Sequence, residues 1–294
     1  MDEPLRHVPV LTASVLAYLD IRPEGTYVDA TFGGGGHSRS ILERLRGGTL
    51  VALDADPQAR ECAQTIADPA FHFARANFRN LASILAQYGI ARVDGVLFDL
   101  GVSSMQLDDA HRGFSMVKDA PLDMRMNQYA GRSAYDVLAH ASERELADIF
   151  FSYGEERAAR RVARAIVARR RQGTLPRTTT DFARFVAGVV QKPGRRERIH
   201  PATRFFQALR IAVNEELDAL HEGVSAAIDS LRVGGRVVAI SFHSLEDRIV
   251  KRALRADERI EVLTKKPVTP SQEEVAANPR ARSAKLRAGE RKAL

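Results

Sequence analysis

The sequence predicts an α/β protein: a doubly wound parallel sheet interrupted by a helical insertion. Three observations carry that prediction. Strand-like and helix-like runs alternate through the first hundred residues with short links, the pattern of a parallel sheet covered on both faces. The first strand-like run leads through an acid into four consecutive glycines, Gly33 to Gly36, and then into a helical pattern. From 108 to 203 the alternation stops, and it resumes only beyond residue 204.

Taken in order, the strand-like runs are Tyr27–Ala30, Leu50–Leu53, Phe71–Ala74 and Val93–Phe98. Helical patterns lie between them near 38–46, 57–67 and 78–88. After the insertion, Phe205–Leu231 reads as one long helix that stops at Gly234-Gly235. A fifth strand follows over Arg236–Ser241, with weaker strand patterns at Arg259–Thr264 and Lys285–Arg287. The resulting division is a core over 1–107 and 204–294 and an insertion over 108–203. Phe205, Phe206, Leu209, Val213 and Leu217 share one helix face and are expected in the core. Arg204, Gln207 and Asn214 lie off it, facing either a cleft or water.

The chain has 294 residues, with 45% hydrophobic residues, enough for a sizeable core. Its single cysteine, Cys62, excludes an intrachain disulfide and a cysteine-cluster metal site and suits a reducing cytosol. The start, Met1 to His7, has no apolar signal core, and no apolar run has membrane-spanning length, so a cytoplasmic protein is expected. The net charge is +7, unevenly spread. Residues 155–200 hold 13 Arg and Lys against 4 acids, and residues 265–294 hold 8 against 3, so the remainder is acidic. Two basic blocks on an acidic remainder point to a localised surface for a polyanion such as nucleic acid.

The glycine loop sits where a cofactor phosphate or ribose would approach backbone. Eighteen residues past Gly36, Asp54 closes the second apolar run, placed to accept both hydroxyls of a ribose. The dinucleotide fingerprint wants glycine at its first, third and sixth positions. Gly33 and Gly35 fill two, but the sixth is Ser38. The loop therefore fits a dinucleotide incompletely, and it also fits S-adenosylmethionine, which has a ribose and no pyrophosphate. A second acid at a strand end, Asp99, opens Asp99-Leu100-Gly101-Val102-Ser103-Ser104-Met105-Gln106. Ligands of doubly wound sheets bind outside the carboxyl ends of the strands, so Asp29, the glycines and Asp99 are expected to converge there. Asp99 is the carboxylate best placed to accept an amine proton.

Other polar clusters read as structural. Asp119 and Asp123 are expected to pair locally with Arg112 or Arg125. Ser244 with Asp247 fits a capping box opening a helix, while His243 beside it is free to face the crevice. Cys62 reads as a small core residue. His7, His37, His200 and His243 lack metal-ligand spacing, so no metal is expected. No Gly-x-Ser-x-Gly elbow and no zinc-deaminase signature occurs. In the insertion, Arg157, Arg160, Arg161, Arg164 and Arg171 fall on one helix face and Ala159, Val162, Ala163 and Ile166 on the opposite one. Such a stripe fits an RNA backbone, or it is a solvated face that normally would mix signs.

Several longer stretches resemble one bacterial family. They are His7-Val8-Pro9-Val10-Leu11, Asp29 through Ser38, Asp99 through Ser104, and Pro121-Leu122-Asp123-Met124-Arg125-Met126. His200-Pro201-Ala202-Thr203, Phe206-Gln207-Ala208-Leu209-Arg210, Ser241 through Arg248 and Asn278 through Arg287 add to them. Together they are similar to ribosomal RNA small subunit methyltransferase H, from residue 7 to about 290. One departure is a compact stretch between Arg255 and Pro267, where some members carry a longer insertion.

The resemblance implies a Rossmann-like class I methyltransferase core with an inserted helical domain for substrate recognition. It implies N4-methylation of a cytidine in the decoding region of 16S rRNA, with S-adenosylmethionine as cofactor and 16S rRNA or the small ribosomal subunit as partner. Carried over by motif, the cofactor contacts are Gly35, Gly36, His37, Asp54, Phe78, Asp99 and Gln106. The family leaves the catalytic residue open, and Asp99 is the candidate. Arg157, Arg160, Arg161 and Arg164 are the candidates for RNA contact. Two other readings stand beside this one: a nucleotide-dependent oxidoreductase, and a non-catalytic RNA-binding protein on the same fold.

Overall fold

The computed structural model describes residues 9–190 and 199–293. His7 and Val8 of the first motif, and Lys192, Arg195, Arg196 and Arg198 of the first basic block, lie outside the described residues. The chain divides into two compact units, residues 1–104 with 217–294, and residues 105–216.

In the first unit, α1 (Thr12–Leu19) precedes β1 (Thr26–Asp29), α2 (Gly36–Leu42), β2 (Thr49–Asp54), α3 (Ala59–Gln64) and β3 (Phe71–Arg75). A single 3-10 turn, Phe78–Asn80, leads into α4 (Leu81–Gln87), and β4 (Val93–Asp99) follows. The strands lie within one or two residues of the expected runs. Their side chains alternate between two buried layers, as a pleated strand requires. Tyr27, Leu50, Leu97 and Val238 pack in one layer with Val15 and Ile41; Val28, Val51, Val96, Phe98 and Val237 pack in the other with Leu81 and Val224. Each large side chain buried in these layers contributes on the order of 1.5–3 kcal/mol.

The second unit starts within α5 (Ser104–Asp108) and holds α6 (Ala134–His140), α7 (Glu143–Ser152), α8 (Ala159–Arg171), α9 (Thr179–Val190) and α10 (Thr203–Asn214). Its core joins Leu138, Phe150, Ile166, Phe182, Phe205 and Leu209. Phe150 meets Phe205 edge-on at 5.0 Å, a favourable aromatic geometry.

The expected single helix over Phe205–Leu231 is two helices, α10 and α11 (Glu216–Ser230). Glu215 between them has φ 50°, a left-handed conformation that ends the first helix. Side chains that hydrophobic periodicity cannot register hold the break. Asn214 donates to the Met124 and Arg210 carbonyls and accepts from the Met126 N–H, while Arg210 makes a bidentate pair with Glu216 at 2.8 and 2.7 Å. Phe205, Phe206 and Leu209 are buried with the second unit, so contacts return to the sheet unit at Leu217 instead of near 204.

After α11 come β5 (Leu231–Ser241), α12 (Ser244–Ala256), β6 (Ile260–Val262), α13 (Gln272–Ala277) and β7 (Lys285–Arg291). The seven-stranded sheet runs β3-β2-β1-β4-β5-β7-β6. The first five strands are parallel, and β7 enters antiparallel between β5 and β6. Strand order reverses beside β1, which places the ligand edge at the carboxyl ends of β1, β2 and β4. This is the Rossmann-like doubly wound core that the resemblance implied. Among the described residues, no helix is long and apolar enough to cross a membrane.

Candidate cofactor and methyl-transfer site

The carboxyl edge of the sheet gathers three acids and one imidazole. Asp29 ends β1 and is buried, accepting from the Thr31 N–H at 3.2 Å and the Ser38 hydroxyl at 2.7 Å. Ser38 therefore explains the broken glycine fingerprint. The sixth position is a serine because its hydroxyl satisfies a buried carboxylate, a role glycine cannot fill. Burial pushes the Asp29 carboxyl up, against the downward pull of Ser38 and His37.

The glycines divide the work. A side chain on Gly34 would meet nothing within 4 Å, and one on Gly33 would meet only Ser103 at 3.6 Å, so their backbone stays open to a ligand. Gly35 has φ 79°, and a side chain on Gly36 would strike Pro9 at 2.4 Å. Gly35 and Gly36 thus shape the loop, and Pro9, from the first motif, packs against it.

Asp54 ends β2 beside this loop. Its carboxylate accepts the Gly33 N–H at 2.7 Å and the Asp56 N–H at 2.8 Å. Each oxygen keeps a second lone pair for a ligand hydroxyl. Burial pushes the Asp54 carboxyl up to about 6, even though the two N–H donors pull it down. Because the folded value is raised, Asp54's contribution to stability is full below pH about 3.8 and is lost as pH rises through about 6. The protein therefore carries a costly charge at neutral pH that ligand hydroxyls would solvate.

Asp99 ends β4. Its N–H donates to the Thr31 hydroxyl at 2.6 Å, which fixes the strand end against β1. Its Oδ2 lies 3.4 Å from His37 Nε2. Among the described residues, Asp99 Oδ1 is buried without a hydrogen-bond partner, as are both ring nitrogens of His37. Burial alone would push the His37 imidazole down, but the Asp99 and Asp29 carboxylates outweigh it and the shift is upward. An orphaned acceptor beside an open glycine loop fits a nucleoside-bearing cofactor with an amine substrate.

Other candidates have different surroundings. The Phe78 ring packs edge-on against Phe98 at 5.6 Å and against Gly223 of α11, at the end of the third strand. Gln106 is buried in α5, in the second unit. The capping box of α12 is one residue off the expected one. His243 is the cap and Glu246 its partner, with Glu246 accepting the Phe242 and His243 N–H groups at 2.8 and 3.2 Å. Asp247 instead pairs with the buried Arg287 at 2.6 and 3.2 Å. His243 Nε2 lies 3.1 Å from Glu246 Oε1, so the ring serves the helix end.

In the second unit, Asp123 pairs with Arg125 as expected, with two contacts of 2.8 Å. Arg112 points elsewhere, donating to the Arg125 and Met126 carbonyls, and Asp119 accepts from the Thr180 hydroxyl. Gln207 donates to the Tyr153 carbonyl and Arg204 lies 3.7 Å from Glu156. Gln207 and Asn214 make fold contacts, while Arg204 is exposed to water, as one of the two expected readings had it. Cys62 is half-buried beside Phe32 and Ala59.

Arg160, Arg161, Arg164 and Arg171 are exposed on one face of α8, with Ala159, Val162, Ala163 and Ile166 buried behind them. Arg157, expected on the same helix face, is exposed but lies in the turn before the helix starts at Ala159. Arg164 lies 3.7 Å from Glu143, and Arg161 donates to the Val190 carbonyl. An exposed pair of that length is worth about 1 kcal/mol at most, so it leaves Arg164 available to a stronger anion.

Sequence reasoning missed Thr31, Pro9 and the α12 cap. Each acts through a partner distant in sequence or through a backbone N–H, which residue type alone does not reveal.

The sequence matches the MraW methylase family over residues 4–292. It is 48% identical over 307 residues to the ribosomal RNA small subunit methyltransferase H of Syntrophus aciditrophicus, covering 97% of each chain. Against the protein of that name from a Cyanothece strain, it is 51% identical over 294 residues, covering 99% of this chain and 96% of the other. Among solved structures, a putative rRNA-methylase from Clostridium thermocellum aligns over 97% of this chain and 99% of its own, at 11% identity and a TM-score of 0.47. Identity of about half is sustained over nearly the whole of both chains. The chain belongs to the MraW methylase family.

Proposed function

We propose that this protein moves the methyl group of S-adenosylmethionine to the N4 amine of a cytidine in the decoding region of 16S rRNA, in the cytoplasm. The observation that carries the reading is the carboxyl edge of the sheet. There an open glycine loop, a ribose-competent Asp54 and an orphaned Asp99 oxygen lie together in a chain of this family. An oxidoreductase is disfavoured by Ser38 in place of the third glycine. A non-catalytic binder is disfavoured by the intact loop with both acids.

The bound cofactor supplies an electrophilic methyl carbon on a sulfonium. Gly35, Gly36 and His37 would line its loop, Asp54 would accept its ribose hydroxyls, and Phe78 and Gln106 complete the assigned set. Asp99 would accept a hydrogen of the cytosine amine. That amine is a poor nucleophile because its lone pair is delocalised into the ring, and an acceptor that holds a hydrogen favours pyramidalisation and then takes the proton. His37 Nε2 lies 3.4 Å from Asp99 Oδ2 and faces the same crevice. The test is incubation with labelled S-adenosylmethionine and unmodified 16S rRNA or small subunits, followed by mapping of the label. Label absent from cytidine N4 of the decoding region would reject the reading.

Two expected outcomes attach to it. Cofactor affinity should be flat above pH 7 and fall about tenfold per unit below about 6, because protonated Asp54 loses acceptor capacity. Calorimetry between pH 4.5 and 8 checks this, and a flat profile removes Asp54 from the ribose site. Reversing Arg157, Arg160, Arg161 and Arg164 to Glu should weaken RNA binding and flatten its salt dependence, with cofactor affinity nearly unchanged. Unchanged RNA affinity at low salt would make the stripe a solvated face.

A further inference from the structure

Helix α12 carries a basic face of its own, in the sheet unit. Its two acids are both engaged, Glu246 in the cap and Asp247 with Arg287. From Arg248 to Ala256 no acid follows. At about 100° per residue, Arg248, Lys251, Arg252 and Arg255 fall within an arc of about 100°, opposite the buried Val250 and Leu254. Arg248, Arg252 and Arg255 are exposed, and Lys251 is half-buried.

The ordinary reading of such a face is a solvated surface. Elsewhere on this protein exposed arginines do meet acids, as Arg144 with Asp148 and Arg184 with Asp181. On α12 the spacing gives repulsion instead. Lys251 with Arg255, and Arg252 with Arg248 and Arg255, are like-charge neighbours at i,i+3 or i,i+4. Among the described residues, no ion pair includes Lys251, Arg252 or Arg255. The helix dipole favours a cation only in the last turn, which accounts for Arg255 and not for the others. An outside anion is what Lys251, Arg252 and Arg255 lack.

The helix is also well placed. Ile240 of β5 pairs with Asp99, and α12 begins four residues later, so the helix starts at the edge that holds the candidate site and its basic face begins about 6 Å along it. A polynucleotide whose base reaches Asp99 passes that edge. From Arg248 to Arg255 the face extends about 10 Å, long enough to meet more than one phosphate.

We propose that this face of α12 is a phosphate-binding ridge for ribosomal RNA, separate from the arginines of α8. The inference rests on the proposed rRNA substrate. Flexible cations of this kind position a backbone and add affinity without reading sequence.

The test uses the full chain with K251E/R252E/R255E, and with K251Q/R252Q/R255Q, each checked by thermal melting. Binding of a 16S rRNA transcript is measured across a salt series. The Glu variant should lose at least tenfold in affinity near 0.1 M salt. Its log–log salt slope should shrink by about 2, from the loss of about three phosphate contacts at roughly 0.7 each. The Gln variant should fall between it and the unaltered protein, and calorimetric affinity for S-adenosylmethionine should not change. If the Glu variant does not fold, the Gln variant decides by the same slope. Affinity and slope within twofold of the unaltered protein would overturn the ridge. If the unaltered protein itself neither binds nor methylates the transcript or small subunits, the substrate reading falls and the ridge with it. If it does both and the variants match it, only the ridge falls.

Discussion

Asp99→Asn is expected to lower the rate of methyl transfer by on the order of 10²–10⁴, with RNA binding largely retained. The substitution keeps the shape of the side chain, and the strand end stays fixed by the bond from the Asp99 N–H to the Thr31 hydroxyl, 2.6 Å. It removes the negative charge that faces His37 at 3.4 Å and the basic atom placed to take the amine proton. The competing role for Asp99 is to position the cofactor only. Single-turnover assays at saturating cofactor separate the two. Full recovery of the rate there would reject proton acceptance and leave Asp99 as a binding residue.

The second large effect is expected from Asp54→Ala. Losing hydrogen bonds between a charged acceptor and the ribose should weaken S-adenosylmethionine binding by roughly 1.5–3 kcal/mol, or about 10–150-fold. Two further bonds disappear with it, those from the Gly33 and Asp56 N–H groups. The apo protein should therefore change in stability as well as in affinity. These contributions are separable: calorimetry on the folded variant reads affinity, and thermal melting without cofactor reads the loop. Affinity equal to that of the unaltered protein would leave Asp54 as a loop anchor alone.

Much of the fold was legible because hydrophobic periodicity reports burial directly. The four largely apolar runs before residue 100 each became a parallel strand, and the acids closing three of them stand at the expected edge. What periodicity does not carry is pairing. Lys285–Arg287 is a weak strand by pattern, yet β7 runs to Arg291 and joins β5 antiparallel, because Leu286 and Ala288 find a buried layer there. The break at Glu215 is invisible for a similar reason. A helical pattern continues through it, and only Asn214 and Arg210, reaching the Met124 carbonyl and Glu216, select two helices.

The candidate site divides the same way. The sequence by itself determined the parts that are local: the glycine loop, the acids at strand ends, the arginine stripe, and the family through its long motifs. Residue type and spacing suffice there, since each feature follows from a few consecutive residues and the known geometry of strand and helix. Tertiary structure alone decided the partners. It assigned Ser38 to Asp29, gave the Asp54 carboxylate two backbone donors, and raised its protonation point to about 6. It also set His37 between Asp29 and Asp99, moved the cap of α12 to His243, and bound Asp247 to Arg287. Burial and charge pairing depend on which segments the fold brings within a few ångströms, and chain order does not encode that distance.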